Sequence, residues 1–198
     1  MIDTEADAAT TRTESGVHVT RTGHGTHRVE LWGPLPVAWL GNFTRGTARM
    51  RVDIVRGVAR RGAQRRWSAT FEMRGAGDAT MQRIDFLALA HRSMESPPAI
   101  PLELLRFDLA RSSERDGTLE LRVGARDRVG FLAALLEHLA GFVLFPEEIR
   151  IDTYLDEADD LLFLSSVGGE SPPVEIEAAL RASLRLCTRD RASLSPGM

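Results

Sequence analysis

Lysine is absent. All 25 basic residues among the 198 are arginine, a usage that fits coding by a GC-rich genome. With 28 acidic residues and a formal net charge of -3, the chain has no overall field to draw in nucleic acid or an anionic membrane. Cysteine is almost absent too: Cys187 stands alone, which excludes an intramolecular disulfide and suits a reducing compartment. A small buried thiol is expected there rather than a nucleophile. Long apolar runs are also lacking. The longest, Phe131 to Phe145, is interrupted by Glu137 and His138 and is too short to cross a bilayer. Residues 1 to 20 have no apolar core of a secretory signal, so a cytoplasmic protein without membrane contact is expected.

Catalytic patterns are missing as well. Ser165-Ser166 lacks the glycines of a nucleophile elbow, and no phosphate loop, dinucleotide fingerprint or paired-carboxylate motif occurs. There is one tyrosine, one cysteine and no converging set of histidine and carboxylate. His18, His24 and His27 lie close in sequence but have no cysteine partner and loose spacing, so no metal is expected. His91 and His138 fall on helical stretches as surface or boundary residues. The expectation is a non-enzyme with no catalytic residue, metal or cofactor.

What is present is a globular composition, 43% hydrophobic and 27% charged. Residues 1–26 are poor in large apolar side chains and read as a flexible tail. From His27 the chain reads as a strand to Trp32, a break at Gly33-Pro34, then a helix to about Thr47 carrying Trp39, Leu40 and Phe43. Met50, Val52 and Ile54 alternate with Arg51 and Asp53 as a second strand. Trp67, Ala69, Phe71 and Met73 share one face of a third, across a hairpin at Arg60-Arg61-Gly62. A helix capped by Asp78 and running to about Arg92 follows, then Pro97, Pro98 and Pro101, and a fourth strand over Leu104 to Ala110.

After Asp116-Gly117 the same order starts again. Leu119 to Val123 is a strand, Arg126 to Gly130 a tight loop, and Phe131, Leu132, Leu135, Leu136 and Leu139 an apolar helix. Ile149 to Thr153 and Leu161 to Val167 are strands around an acidic turn at Asp156 to Asp160, and Val174 to Leu186 is the last helix. The fold class expected is therefore α+β: two tandem βαββαβ units, residues 27–113 and 117–189, each an antiparallel sheet with helices on one face. A flexible tail is expected over 190–198. The last strand of the second unit is brief or missing.

The segment Asp127-Arg128-Val129-Gly130-Phe131-Leu132 joins a strand to the start of an apolar helix, where free amides and the helix dipole suit an anion such as a carboxylate. It resembles the turn of the ACT family, which often reads Asp-Arg-Pro-Gly followed by two apolar residues. Ile149 to Ile151 and Leu162 to Leu164 look like that family's second and third strands, so the likeness covers 119–186 well and 27–111 by element order alone. The tandem layout is similar to the paired modules of nitrogen-sensing uridylyltransferases and to free-standing ACT regulators. The resemblance implies ferredoxin-like modules that bind a small molecule, often an amino acid, at a domain or subunit interface. Asp127, Arg128, Val129, Gly130 and Phe131 would be the ligand residues, with the Gly130 amide presented to the ligand. The plainer alternative is that Gly130 only makes a tight turn. In the first unit Pro34-Leu35-Pro36-Val37 replaces this loop, and two prolines remove amide donors, so no ligand site is expected there.

A second feature is charge asymmetry between equivalent hairpins. Arg45 to Arg66 holds eight arginines against Asp53, and Glu147 to Asp160 holds seven acids against Arg150. If the units associate through their second strands, these edges would meet and set the register, within one chain or between chains as a homodimer. Two separate solvated hairpins are the alternative. Phosphate contact by the arginines is disfavoured because Trp67 is the only aromatic residue beside them and no DNA-binding spacing accompanies them. The leading expectation is a regulatory protein that binds an amino acid. Its rivals are a protein interaction module with a vestigial ligand site and an enzyme on a ferredoxin-like scaffold.

Overall fold

Period-two alternation of apolar and polar side chains draws eight strands into one antiparallel sheet. The computed structural model of the chain describes residues 14–23, 25–75, 81–92 and 101–188. The elements in chain order are β1 (Gly16–Gly23), β2 (Thr26–Gly33), α1 (Trp39–Arg49), β3 (Asp53–Arg61), β4 (Trp67–Arg74), α2 (Phe86–His91), β5 (Arg106–Arg111), β6 (Leu119–Arg126), α3 (Phe131–Ala140), β7 (Leu144–Tyr154), β8 (Glu157–Ser166) and α4 (Val174–Cys187). Short 3-10 turns occupy Ala63–Arg65 and Val167–Gly169. The class is α+β, and among the described residues no helix is long and apolar enough to cross a membrane.

The strand order is β1-β2-β4-β3-β7-β8-β6-β5, which reads the same from either edge when the halves are exchanged. Two expectations are corrected by it. Gly16–Gly23, placed in a flexible tail, form β1, which pairs with β2 from Val17 opposite Leu31 to Thr20 opposite Arg28. Val17 and Val19 pack against the core, so a few apolar residues suffice when a neighbouring strand supplies the backbone partners. The strand read as the end of the first unit, β5, pairs instead with β6 at the far edge, Phe107 opposite Val123. Each half is thus strand, strand, helix, strand, strand, helix, and the strand expected last precedes the others. After α4 the last described residue, Thr188, makes an isolated parallel bridge to Leu104.

Element bounds shift locally as well. Met50 and Arg51 end α1 rather than starting a strand. Val52 donates to the Thr47 carbonyl at 2.9 Å and Arg51 to Ala48 at 3.0 Å, with Arg51 at φ 55°, a left-handed helix stop made without glycine. Asp85 caps α2, its carboxylate accepting from the Ala88 amide at 2.9 Å; Asp78 and the Pro97-Pro98 pair lie outside the described residues, as does 190–198.

One hydrophobic core runs through both halves. In the first it is aromatic: Trp39 meets Trp67 at 5.3 Å between centroids, and Phe43 stacks on Phe71 at 5.1 Å and touches Phe86 at 6.0 Å. In the second it is aliphatic, built on Leu121, Leu135, Leu139, Leu162 and Leu180. Gly46 lies where α1 meets α2: a Cβ there would sit 2.7 Å from a Leu89 methyl. Helices α1 and α3 also touch, closing the core over the seam.

That seam is the β3 and β7 pair, with Arg56 opposite Asp152 and Arg60 opposite Glu148. The basic and acidic hairpins therefore meet within the chain. Arg56 binds Asp152 at 3.1 Å, Arg60 binds Glu148 at 3.4 Å, and Arg61 binds Glu147 at 2.7 Å. Glu148 is buried and also takes Arg115 at 2.5 Å and Arg150 at 2.8 Å. Both of those guanidinium groups lie over the ring of Phe163, on the sheet face away from the helices.

Candidate functional site

Beside the seam a narrow cleft opens where the loop after β6 approaches the end of α1 and the start of β3. Thr44, Thr47 and Asp53 line it from the first half, and Asp127, Gly130 and Asp160 from the second. Gly130 adopts φ 93° at the start of α3, the left-handed conformation that glycine takes without strain. The turn is tied down on both sides: Asp127 donates its amide to the Asp156 carbonyl at 2.8 Å, Phe131 donates to Arg128 at 3.0 Å, and Ala134 donates to Gly130 at 3.0 Å. No backbone bond among the described residues uses the amides of Gly130, Leu132 or Ala133, the orphan donors of a helix start.

The five ligand residues expected from sequence do not converge equally. Asp127, Arg128, Gly130 and Phe131 all border the cleft, with the Phe131 side chain buried in the core. Arg128 points its guanidinium to the Pro101 carbonyl. Val129 is exposed and does not line the cleft.

The residue that sequence reasoning missed is Asp160. Its sequence neighbours read as an acidic turn, yet it lies inside β8 opposite Val123, in phase with Ala158, Leu162 and Leu164, and is 1% exposed. That phase was the available signal, because a carboxylate in the apolar register of a strand must face the interior. Its carboxyl accepts the Asp152 backbone N–H, while Oδ1 has no hydrogen-bond partner among the described residues. Burial pushes this carboxyl up to about 7, and the nearby charges of Asp159, Asp127 and Asp152 add to the rise. Asp127 is also held above its usual range, by burial first and then by Asp53, with Arg74 opposing. Asp53 itself pairs with Arg74 at 3.7 Å.

No protein-family model matches the chain, and no curated protein does. Among solved structures, the crystal structure of aspartate kinase from Synechocystis is similar with a TM-score of 0.46 and 17% sequence identity, over 81% of this chain and 27% of that one. The chain spans about a quarter of that protein's length, and a likeness at this level carries no argument about activity.

The buried Asp160 carboxyl and the first residues of α3 line the same cleft. Its void is about 30 Å³, the room of a single water, so a larger guest requires α1 and the loop to separate. Among the described residues no cluster of three or more His, Cys, Asp or Glu is placed to hold a metal ion.

Proposed function

We propose that the chain is a tandem of two ACT-like modules acting as a non-enzymatic regulatory protein, and that it takes a small zwitterion, an amino acid, in the cleft beside Gly130. The observation that carries this reading is Asp160: a buried carboxyl with one unpartnered oxygen is costly to keep, by roughly 1 to 3 kcal/mol. An ammonium group would satisfy it. The ligand's carboxylate would then meet the amides at the start of α3, where the helix dipole favours negative charge. Because the cleft walls belong to different halves, a ligand that widens it favours one arrangement of the halves over another, which is the physical basis of regulation. The likeness of Asp127 to Leu132 to the ACT turn supports the same reading.

Titration calorimetry of the full chain against the twenty amino acids tests it. Saturable heat with at least one, weakened about tenfold or more by Asp160→Asn, is expected for loss of a charge-assisted bond. No heat with any amino acid at millimolar concentration rejects the reading. A protein interaction module is the second reading, favoured by Tyr154 and Leu155, which stand 77% and 81% exposed at the tip of the β7–β8 hairpin. The seam arginines do not support it, since Arg56, Arg60 and Arg61 are already paired inside the chain.

A further inference from the structure

A larger cavity lies at the other end of the seam, against the proline loop of the first half. It encloses about 350 Å³, more than ten times the void beside Gly130 and within the range of small-ligand pockets. One wall is apolar and stiff: Pro34, Pro36, Trp67, Phe145 and Pro146. The opposite wall is polar, and its charges are unequally satisfied. Arg61 and Glu147 neutralise one another at 2.7 Å, and Glu147 also accepts from the Ser165 hydroxyl at 2.7 Å. Arg65 has no carboxylate partner among the described residues; its guanidinium makes a single 3.3 Å bond to the Gly168 carbonyl.

Arg65 is also held in an unfavourable backbone state. Gln64 and Arg65 are consecutive non-glycine residues at φ 57° and 58°, a left-handed conformation that L side chains rarely adopt. That conformation puts Arg65 on the lining of the cavity, with no carboxylate partner among the described residues. The prolines remove the amide donors that the Gly130 loop offers, so recognition here must come from this side chain and from surface burial.

We propose that this cavity binds an organic carboxylate with an aromatic or branched apolar body, its carboxylate paired with Arg65 and its body lying between the prolines, Trp67 and Phe145. A guanidinium matches one planar carboxylate through two parallel bonds. A dianion such as phosphate is disfavoured because the second arginine of the wall, Arg61, is already neutralised by Glu147. The volume allows a body of on the order of ten heavy atoms. The site is independent of the Asp160 cleft.

The test uses the full chain with benzoate, 2-naphthoate, the neutral 2-naphthamide and inorganic phosphate, read by calorimetry and by two-dimensional NMR. Saturable binding of 2-naphthoate is expected, roughly tenfold weaker for the amide and for Arg65→Gln, with little response to phosphate. Val37→Trp, which fills the cavity from a half-exposed position, abolishes binding, and Asp160→Asn leaves it unchanged. Failure of both carboxylates to bind, equal affinity for the amide or for phosphate, or indifference to Arg65→Gln in a variant that melts like the parent would overturn the proposal. Loss of amino-acid binding alone would reject only the reading of the Gly130 cleft.

Discussion

The two halves share one order of elements and differ in almost every chemical choice. The first packs Trp39, Phe43, Trp67 and Phe71 where the second packs leucines, turns into its first long helix through Pro34 and Pro36 where the second uses Gly130, and presents arginines on β3 where the second presents acids on β7. A repeated backbone therefore needs no repeated sequence, provided the hydrophobic phase is kept. The differences have separate consequences. Opposite charge makes the β3 and β7 edges partners for each other rather than for second copies of themselves. Glycine against proline gives one end of the seam amide donors and the other end an apolar wall.

The largest expected break in this comparison is in the aromatic core. Phe43→Ala removes a fully buried ring that touches Trp39, Phe71 and Phe86 and is expected to cost about 4 kcal/mol in urea unfolding, with the equivalent Leu136→Ala costing less. Equal losses would mean that the aromatic cluster adds nothing to plain burial. Next comes the seam. Glu148→Ala removes the buried carboxylate that Arg60, Arg115 and Arg150 share and is expected to cost about 3 kcal/mol, measured by the same unfolding. A loss below 1 kcal/mol would show that the halves are held by backbone pairing and helix packing alone.

The third prediction concerns pH and separates the two ends of the seam. The Asp160 carboxyl titrates higher folded than unfolded, so well below its unfolded value of 3.8 it is protonated in both states and contributes nothing. As pH rises toward 7 the unfolded chain releases that proton more readily, and a destabilising contribution grows and then levels off. Wild type is expected to lose on the order of 2 to 3 kcal/mol more than Asp160→Asn between pH 5 and pH 8. A parallel pH dependence of the two proteins would place the charge of Asp160 in water.

The smallest effect sharpens the comparison of helix ends. Arg51 after α1 and Val143 after α3 both stop a helix at positive φ, 55° and 58°, and a β-branched residue is the worse fit. Val143→Gly is expected to stabilise by about 1 kcal/mol, and Arg51→Gly by less, seen as raised melting temperatures.

Much of this was legible in the residues. The alternation of Trp67, Ala69, Phe71 and Met73, the apolar stripe of α3 and the turn at Gly130 all give local signals that the structure keeps. The β1 strand was not legible, because its three valine and histidine positions bury too little to announce a strand without β2 beside them. Asp160 was hidden by company: surrounded by acids in sequence, it reads as solvent-facing, and only its phase with Leu162 and Leu164 separates it from Asp159. The cavity beside Arg65 left no sequence signal at all, since its walls come from four separate segments.

By itself the sequence determined the period of most elements, the two opposed charge patterns and the glycine turn, because each is a property of neighbouring residues on one strand or one helix. Only the tertiary structure decided that β5 belongs to the far edge, that the charged hairpins meet inside one chain, and which carboxylate loses its water. Those outcomes depend on which distant backbone edges and side chains come together, and partner choice across long separations is not encoded in any local pattern.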